Sequence, residues 1–265
     1  MYLEQLFLDN PGRNFNYLVA CPRTQKALAI DPLDADKVLA LAKHKGYQIT
    51  HIINTHEHPD HTGGNEQVMQ ETGAVLLASE KAKTMIPHVH QGLKGGDSIA
   101  IGDNVRFKVL DTPGHTMAHI CLFTDTITPS VLICGDTLFN AGAGNCYNGG
   151  DPRALYQTFT TIISTLPDDT RVYPGHDYIM NNLRFALDRE PDNLKAKALL
   201  EKLSQSYDPN DPYVTTIEQE KEINPFLRLH SSSIRKKLHE EKVIDSEDVS
   251  DEAIFLALRE LRNRW

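Results

Sequence analysis

One stretch constrains this chain more than any other: I-I-N-T-H-E-H-P-D-H-T-G-G-N, residues 52 to 65. It sets His56, His58, Asp60 and His61 within six positions, directly after the apolar run Ile49-Thr50-His51-Ile52-Ile53. Side chains two apart on an extended segment share a face, so His56 and His58 point the same way. Pro59 has no N–H and biases His58 out of the helical region, so the chain must turn there. Asp60 and His61 then address a second spot close to the first. Gly63 and Gly64 permit tight backbone before a helix expected over 66–72. Neutral imidazole and carboxylate are ordinary ligands of zinc, iron and manganese. A polar loop with chance histidines would have to supply four ligand-type residues in six positions at a strand end. A metal loop is the simpler account.

The rest of the composition narrows the class. A chain of 265 residues holds one large domain, or one plus a smaller partner. A net charge of −9 argues against a phosphate-binding surface, because nucleic-acid affinity rests on clustered Lys and Arg. No apolar run approaches the roughly 20 residues that cross a bilayer, and the acidic start M-Y-L-E-Q-L-F-L-D-N lacks a basic signal-peptide head. A cytoplasmic setting is the default expectation. Cys21, Cys121, Cys134 and Cys146 form no C-x-x-C pair, and no disulfide is expected.

Strands are predicted over 2–8, 14–21, 26–31, 49–53, 74–78, 98–101, 104–110, 118–124, 130–134 and 171–173. A helix opens at Asp34 and closes at Gly46, another runs from Pro152 to Thr165, and 80–96 reads as helix and loop. Beyond Asp177 strand signals stop, and helical segments alternate with breaks at Pro209, Pro212 and Pro225. Two batches of strands with interspersed helices predict an α/β fold, sheets inside and helices outside. The expected division is a metal-binding domain over 1–174 and a helical domain over 175–265.

Three later turns repeat the pattern of strand, glycine, ligand. Val105–Leu110 runs into D-T-P-G-H-T and His115; Val131–Cys134 runs into Gly135 and Asp136; Arg171–Tyr173 runs into P-G-H and His176. Singly, each is an ordinary polar turn residue. Jointly they can deliver donors from several strand ends to one edge of a sandwich.

T-H-E-H-P-D-H, T-P-G-H-T, C-G-D-T and P-G-H resemble, in order and spacing, the signature of the metallo-β-lactamase fold superfamily. With G-D-T-L-F, R-V-Y-P-G-H-D-Y, N-N-L-R-F-A and I-N-P-F-L-R, the whole chain is similar to the glyoxalase II (hydroxyacylglutathione hydrolase) family. The resemblance implies an αββα sandwich with a C-terminal helical domain and two divalent ions, zinc first among them, with iron or manganese as alternatives. His56, His58 and His115 would hold one ion, and Asp60, His61 and His176 the other, with Asp136 bridging. Asp60 and Asp136 form the implied catalytic pair, Asp60 mainly ligating and orienting. His119 is expected to support the site without ligating. The implied reaction is attack of a metal-bridging hydroxide on the thioester of S-D-lactoylglutathione, giving glutathione and D-lactate. Two ions sharing a water lower its pKa toward about 7.

For substrate the family grips a carboxylate with C-terminal basic residues, and Arg259, Arg262, Tyr147 and Tyr178 match its positions. Asn145, in A-G-A-G-N-C-Y, stands where the family has Lys or Arg, so one positive charge is missing. Glu57 replaces a common family histidine at a position that is not a ligand. The implied partner is a small glutathione thioester, with neither nucleic acid nor membrane, and the protein a monomer or small homo-oligomer. Two rivals share the fold. A persulfide dioxygenase would use one iron, and generally lacks the helical extension. A lactonase or β-lactamase would have no use for Arg259, Arg262 and Tyr178.

Overall fold

A computed structural model describes all residues, 1–265. Two six-stranded sheets lie face to face. The first is ordered β1 (Tyr2–Phe7), β2 (Phe15–Ala20), β3 (Lys26–Ile30), β4 (Gln48–Ile53), β5 (Val75–Ser79) and β6 (Gln91–Leu93). Strands β1 to β3 are antiparallel; β3 to β6 are parallel, joined by α1 (Ala35–Lys45), the single turn α2 (Pro59–Thr62) and α3 (Asn65–Thr72). The second sheet takes β7 (Ser98–Ile101), β8 (Val105–Asp111), β9 (Ile120–Thr124) and β10 (Val131–Gly135) as an antiparallel meander. A small hairpin, β11 (Leu138–Phe139) and β12 (Gly142–Ala143), then stands apart from both sheets. After α4 (Pro152–Thr161), β13 (Arg171–Pro174) pairs parallel to β10, and β14 (Thr215–Thr216) closes the edge. The remaining helices are α5 (Ile179–Arg189), α6 (Leu194–Ser206), α7 (Ile217–Ile223), α8 (Ser232–Glu240) and α9 (Asp251–Asn263).

Strand periodicity decides which residues meet. Along β2, Phe15, Tyr17 and Val19 face the second sheet, against Phe107, Val109, Leu122 and Ile133. Leu18 and Ala20 point the other way, under Val38 of α1 and Val68 of α3. On the outer face of the second sheet, Leu132 and Val172 lie in one cluster with Phe159 of α4, Ile217 of α7, Ile234 of α8 and Phe255 of α9. The layers are therefore αββα, with the C-terminal helices covering the second sheet. Phe255 is fully buried there, and its truncation to Ala costs about 3–5 kcal/mol. No helix is long and apolar enough to cross a membrane.

Two expectations need correction. Residues 80–96 contain a single 3₁₀ turn, Glu80–Ala82, and strand β6 in place of a longer helix. Parallel pairing with β5 supplies the backbone partners that Q-G-L, poor in β-formers, does not announce. Strands also do not stop at Asp177, because Thr215–Thr216 pairs with Arg171–Val172. Residues after the P-G-H turn thus complete the sheet that precedes it.

Candidate metal centre

Strands β4, β8, β10 and β13 all end at one rim. Strands β8 and β10 both run antiparallel to β9 and hence alike, and β13 runs parallel to β10. The first sheet is tied to this rim by Ile120 N–H donating to Thr55 O at 2.8 Å and Phe15 N–H donating to Gly175 O at 2.8 Å. Two glycines make the approach close enough. Gly135 has φ +45°, and a Cβ there would lie 2.5 Å from Thr55 Oγ1. A Cβ on Gly175 would lie 2.2 Å from Asp136 Oδ1. Side chains at either position would push the loops apart.

The predicted donors gather in overlapping groups. His56, His58 and His115 can place one ligand atom each within 4.8 Å of one another; so can His56, His61 and Asp136, and so can Asp60, His61 and His176. His58 Nδ1 stands 3.0 Å from both His56 Nε2 and His115 Nε2. Asp136 spans the halves: its Oδ2 is 3.3 Å from His115 Nε2 and 3.2 Å from His176 Nε2, and its Oδ1 is 3.4 Å from His61 Nε2. Asp60 Oδ2 lies 3.5 Å from His176 Nε2 and 3.8 Å from His61 Nε2.

Outward hydrogen bonds fix the tautomers. His58 Nε2–H donates to Asn148 O at 3.0 Å, and His115 Nδ1–H to Asn145 O at 2.6 Å. Thr55 gives its hydroxyl proton to Asp31 at 2.6 Å, so its oxygen accepts from His56 Nδ1–H at 3.1 Å. Carbonyls only accept, so the outward nitrogens carry the protons, and in neutral rings the inward nitrogens of His56, His58 and His115 are lone pairs facing one another. Lone pairs at that distance repel unless a cation sits among them. Asp136 Oδ1 is likewise buried without a hydrogen-bond partner. In the second half, His61 Nδ1 faces Asp31 Oδ2 at 2.9 Å and His176 Nδ1 faces Gly12 O at 2.6 Å. The donor set fits divalent cations, and the protein binds divalent metal at this rim.

Charge coupling agrees. Burial, then neighbouring His61, holds His56 well below the usual imidazole range, and burial lowers His115. Burial alone would raise Asp136, yet His176, His61 and His115 outweigh it and hold its carboxyl well below the ordinary range. Burial would likewise lower His61 and His176, but Asp136 outweighs it and raises both. Those are the protons a cation displaces.

Supporting residues hold the donors in place. His119 Nε2 accepts from Asp136 N–H at 3.1 Å, with Thr112 and Thr137 on its Nδ1 side. Asp31, at φ +49°, takes both Thr55 donors and faces His61. Asn14 Nδ2 donates to Asp60 Oδ2 at 3.1 Å. Neither Asp31 nor Asn14 belongs to the metal-loop, T-P-G-H-T, C-G-D-T or P-G-H motifs. Asp31-Pro32 at a strand end was the available signal for the first.

A cleft of ≈ 280 Å³ adjoins the rim, lined by Phe139, Ala143, Asn145, Tyr147, Tyr178, Asn181, Arg259, Arg262 and Asn263. All five residues expected to bind substrate are among these. Tyr178 stacks on His176 with centroids 5.0 Å apart and planes 8° apart. Tyr147 and Asn145 are exposed. Arg259 is buried, and its Nη1 donates to Ala143 O at 2.6 Å and Gly144 O at 3.0 Å, so part of its fork is spent on backbone. Arg262 donates through Nε and Nη2 to Asn182 Oδ1, at 3.4 and 3.0 Å.

A metal-binding αββα sandwich with this rim defines the metallo-β-lactamase superfamily, whose profile matches residues 11–176. A second profile, Hydroxyacylglutathione hydrolase C-terminus, matches residues 177–265. The hydroxyacylglutathione hydrolases of Nitrosococcus oceani and of a Polaromonas species are each 56% identical to this chain, over 100% of both partners. That of Maricaulis maris is 36% identical over 95% of this chain and 94% of its own. Among solved structures, ETHE1 from Myxococcus xanthus superposes with TM-score 0.69 at 25% identity, covering 98% of this chain and 91% of its own. TTHA1623 in a di-iron-bound form gives TM-score 0.59 at 25% identity, covering 84% and 99%. The chain belongs to the hydroxyacylglutathione hydrolase family, the glyoxalase II thioester hydrolases.

Proposed function

We propose that the protein hydrolyses S-D-lactoylglutathione to glutathione and D-lactate, serving methylglyoxal detoxification. The observation that carries this is the set of facing imidazole lone pairs around Asp136, with its unpartnered Oδ1, beside a cleft holding two guanidinium groups. In this reading His56, His58 and His115 would hold one cation and Asp60, His61 and His176 a second, with Asp136 available to both. When bound, such a pair lowers the pKa of water toward about 7 and polarises a carbonyl oxygen. The chain's own residues do the rest. Asn14 steadies Asp60, which would mainly ligate and orient. Asp136 stays ionised between the two groups of imidazoles, with His115 and His176 beside one of its oxygens and His61 beside the other. A thiolate leaves readily, so no strong general acid is needed, and none is assigned.

Residues 1–174 carry six of the seven donors in this reading, and 175–265 supply His176, Tyr178, Arg259 and Arg262 for closing and gripping. Arg262 suits the thiol's carboxylate, a guanidinium fork being matched to that geometry. Zinc is the proposed metal. Iron is the alternative, because one neighbour of this fold is described in a di-iron form. Four unpaired thiols suit a reducing compartment, and we assign the protein to the cytoplasm. A thioester panel tests the reading by following released thiol. S-D-lactoylglutathione should be turned over well ahead of non-glutathione thioesters; equal rates across the panel would remove the glutathione assignment.

A further inference from the structure

Glu220 of α7 is fully buried, yet no cation pairs with it. Its carboxylate accepts from Ala141 N–H (3.1 and 3.0 Å to the two oxygens), from the Thr215 hydroxyl at 2.7 Å and from Asn224 Nδ2 at 2.7 Å. The same partners reach further. Asn224 Nδ2 also donates to Gly142 O at 3.0 Å, and Asn140 Nδ2 donates to Thr215 Oγ1 at 2.8 Å. Asn182 Nδ2 donates to Asn140 O at 3.0 Å, and its Oδ1 is the acceptor for Arg262.

This network encloses the turn of the β11–β12 hairpin, residues 140–141, and the Gly142 carbonyl that follows it. Ala141 sits there at φ +58°, a conformation an L residue adopts reluctantly, and only Glu220 answers its N–H. The two flanks of that turn face the site. Phe139 packs edge-on against both His176 and Tyr178, and Ala143 O holds Arg259. The hairpin wall of the cleft is therefore shaped from beneath by an anion on the opposite side.

We propose that Glu220 is a positioning residue for thioester binding: by fixing Ala141 it sets the hairpin that carries Phe139 and Ala143 into the substrate cleft. This rests on the cleft being the thioester site. The carboxylate faces only donors, so a proton on it breaks at least one of these bonds. Burial pushes its pKa up to about 7, with Thr215, Asn224 and Ala141 pulling the other way. The groups set against it are neutral: Ala141, Thr215 and Asn224, and from β10 the Cys134 thiol, itself raised well above the usual range by burial. Arg262 joins only through Asn182.

The test compares wild type, E220Q and T215V between pH 5.5 and 8.5, measuring KM and kcat for S-D-lactoylglutathione, metal content, and hydrogen exchange of the 138–144 amides corrected for intrinsic rate. Wild-type KM should rise several-fold as pH falls through about 7, with metal content steady and the Ala141 amide losing protection, while any fall in kcat from protonation of the activated water is shared by wild type and E220Q. E220Q should show the raised KM at every pH and a flat exchange profile. T215V, which removes one donor, should shift KM less, and it carries the test if E220Q does not fold. A KM profile in E220Q that tracks wild type overturns the proposal, as does loss of kcat and metal together with KM. If wild type turns over no glutathione thioester, the functional reading fails, and the exchange profile still decides the role of Glu220.

Discussion

The metal rim and the wall of the adjoining cleft are built on different terms. At the rim, each imidazole nitrogen that points outward is held by a carbonyl, carboxylate or hydroxyl, and the inward nitrogens are left free. At the wall, Arg259 and Arg262 already spend hydrogen bonds on Ala143, Gly144 and Asn182. The rim is pre-arranged for a ligand of fixed geometry. The wall is part of a network that runs from Arg262 to Glu220, so its shape depends on helices far from the chemistry.

The sharpest way to break this contrast is at the rim. Asp136→Ala removes the group that spans both halves. Turnover should fall by more than the 10–100-fold typical of an outer-sphere change, with fewer metal ions per chain by elemental analysis. At the wall, Arg262→Ala should leave metal content intact. Loss of a charge-assisted hydrogen bond of about 1.5–3 kcal/mol raises KM by about 10- to 150-fold.

Beneath the wall, pH separates the two regions. Glu220 has its pKa raised from 4.5 to about 7, so its contribution to stability is full below 4.5 and lost as pH rises through about 7. Glu220→Gln removes that titration. Its Tm relative to wild type should climb between pH 5 and pH 8, by the several degrees that a change on the order of 3 kcal/mol brings. The smallest effect belongs to Asn145→Lys. Asn145 is exposed, and an exposed ion pair is worth about 1 kcal/mol or less, so KM should drop by no more than about fivefold.

The same division governed what could be read from residues alone. The rim announces itself because four ligand-type residues crowd one turn, and each later donor follows a strand and a glycine. The αββα layering is legible from alternating strands and amphipathic helices. The network under the wall is not, because Asn140, Asn182, Thr215, Glu220 and Asn224 lie scattered over 85 positions, each alone indistinguishable from a surface residue. Strand β14 is two residues long and forms only because β13 offers an edge. The β11–β12 hairpin is illegible for a related reason, since its turn holds a non-glycine at positive φ supported by a distant carboxylate. Asn14 and Asp31 act through contacts with residues 46 and 24 positions away, which no local pattern signals.

Counting metal is the most direct test. Purified protein, stripped and reloaded with zinc, should bind two ions per chain and recover hydrolysis of S-D-lactoylglutathione in step with the second. One ion per chain at full activity, or none retained after reloading with zinc, iron and manganese in turn, would contradict the account.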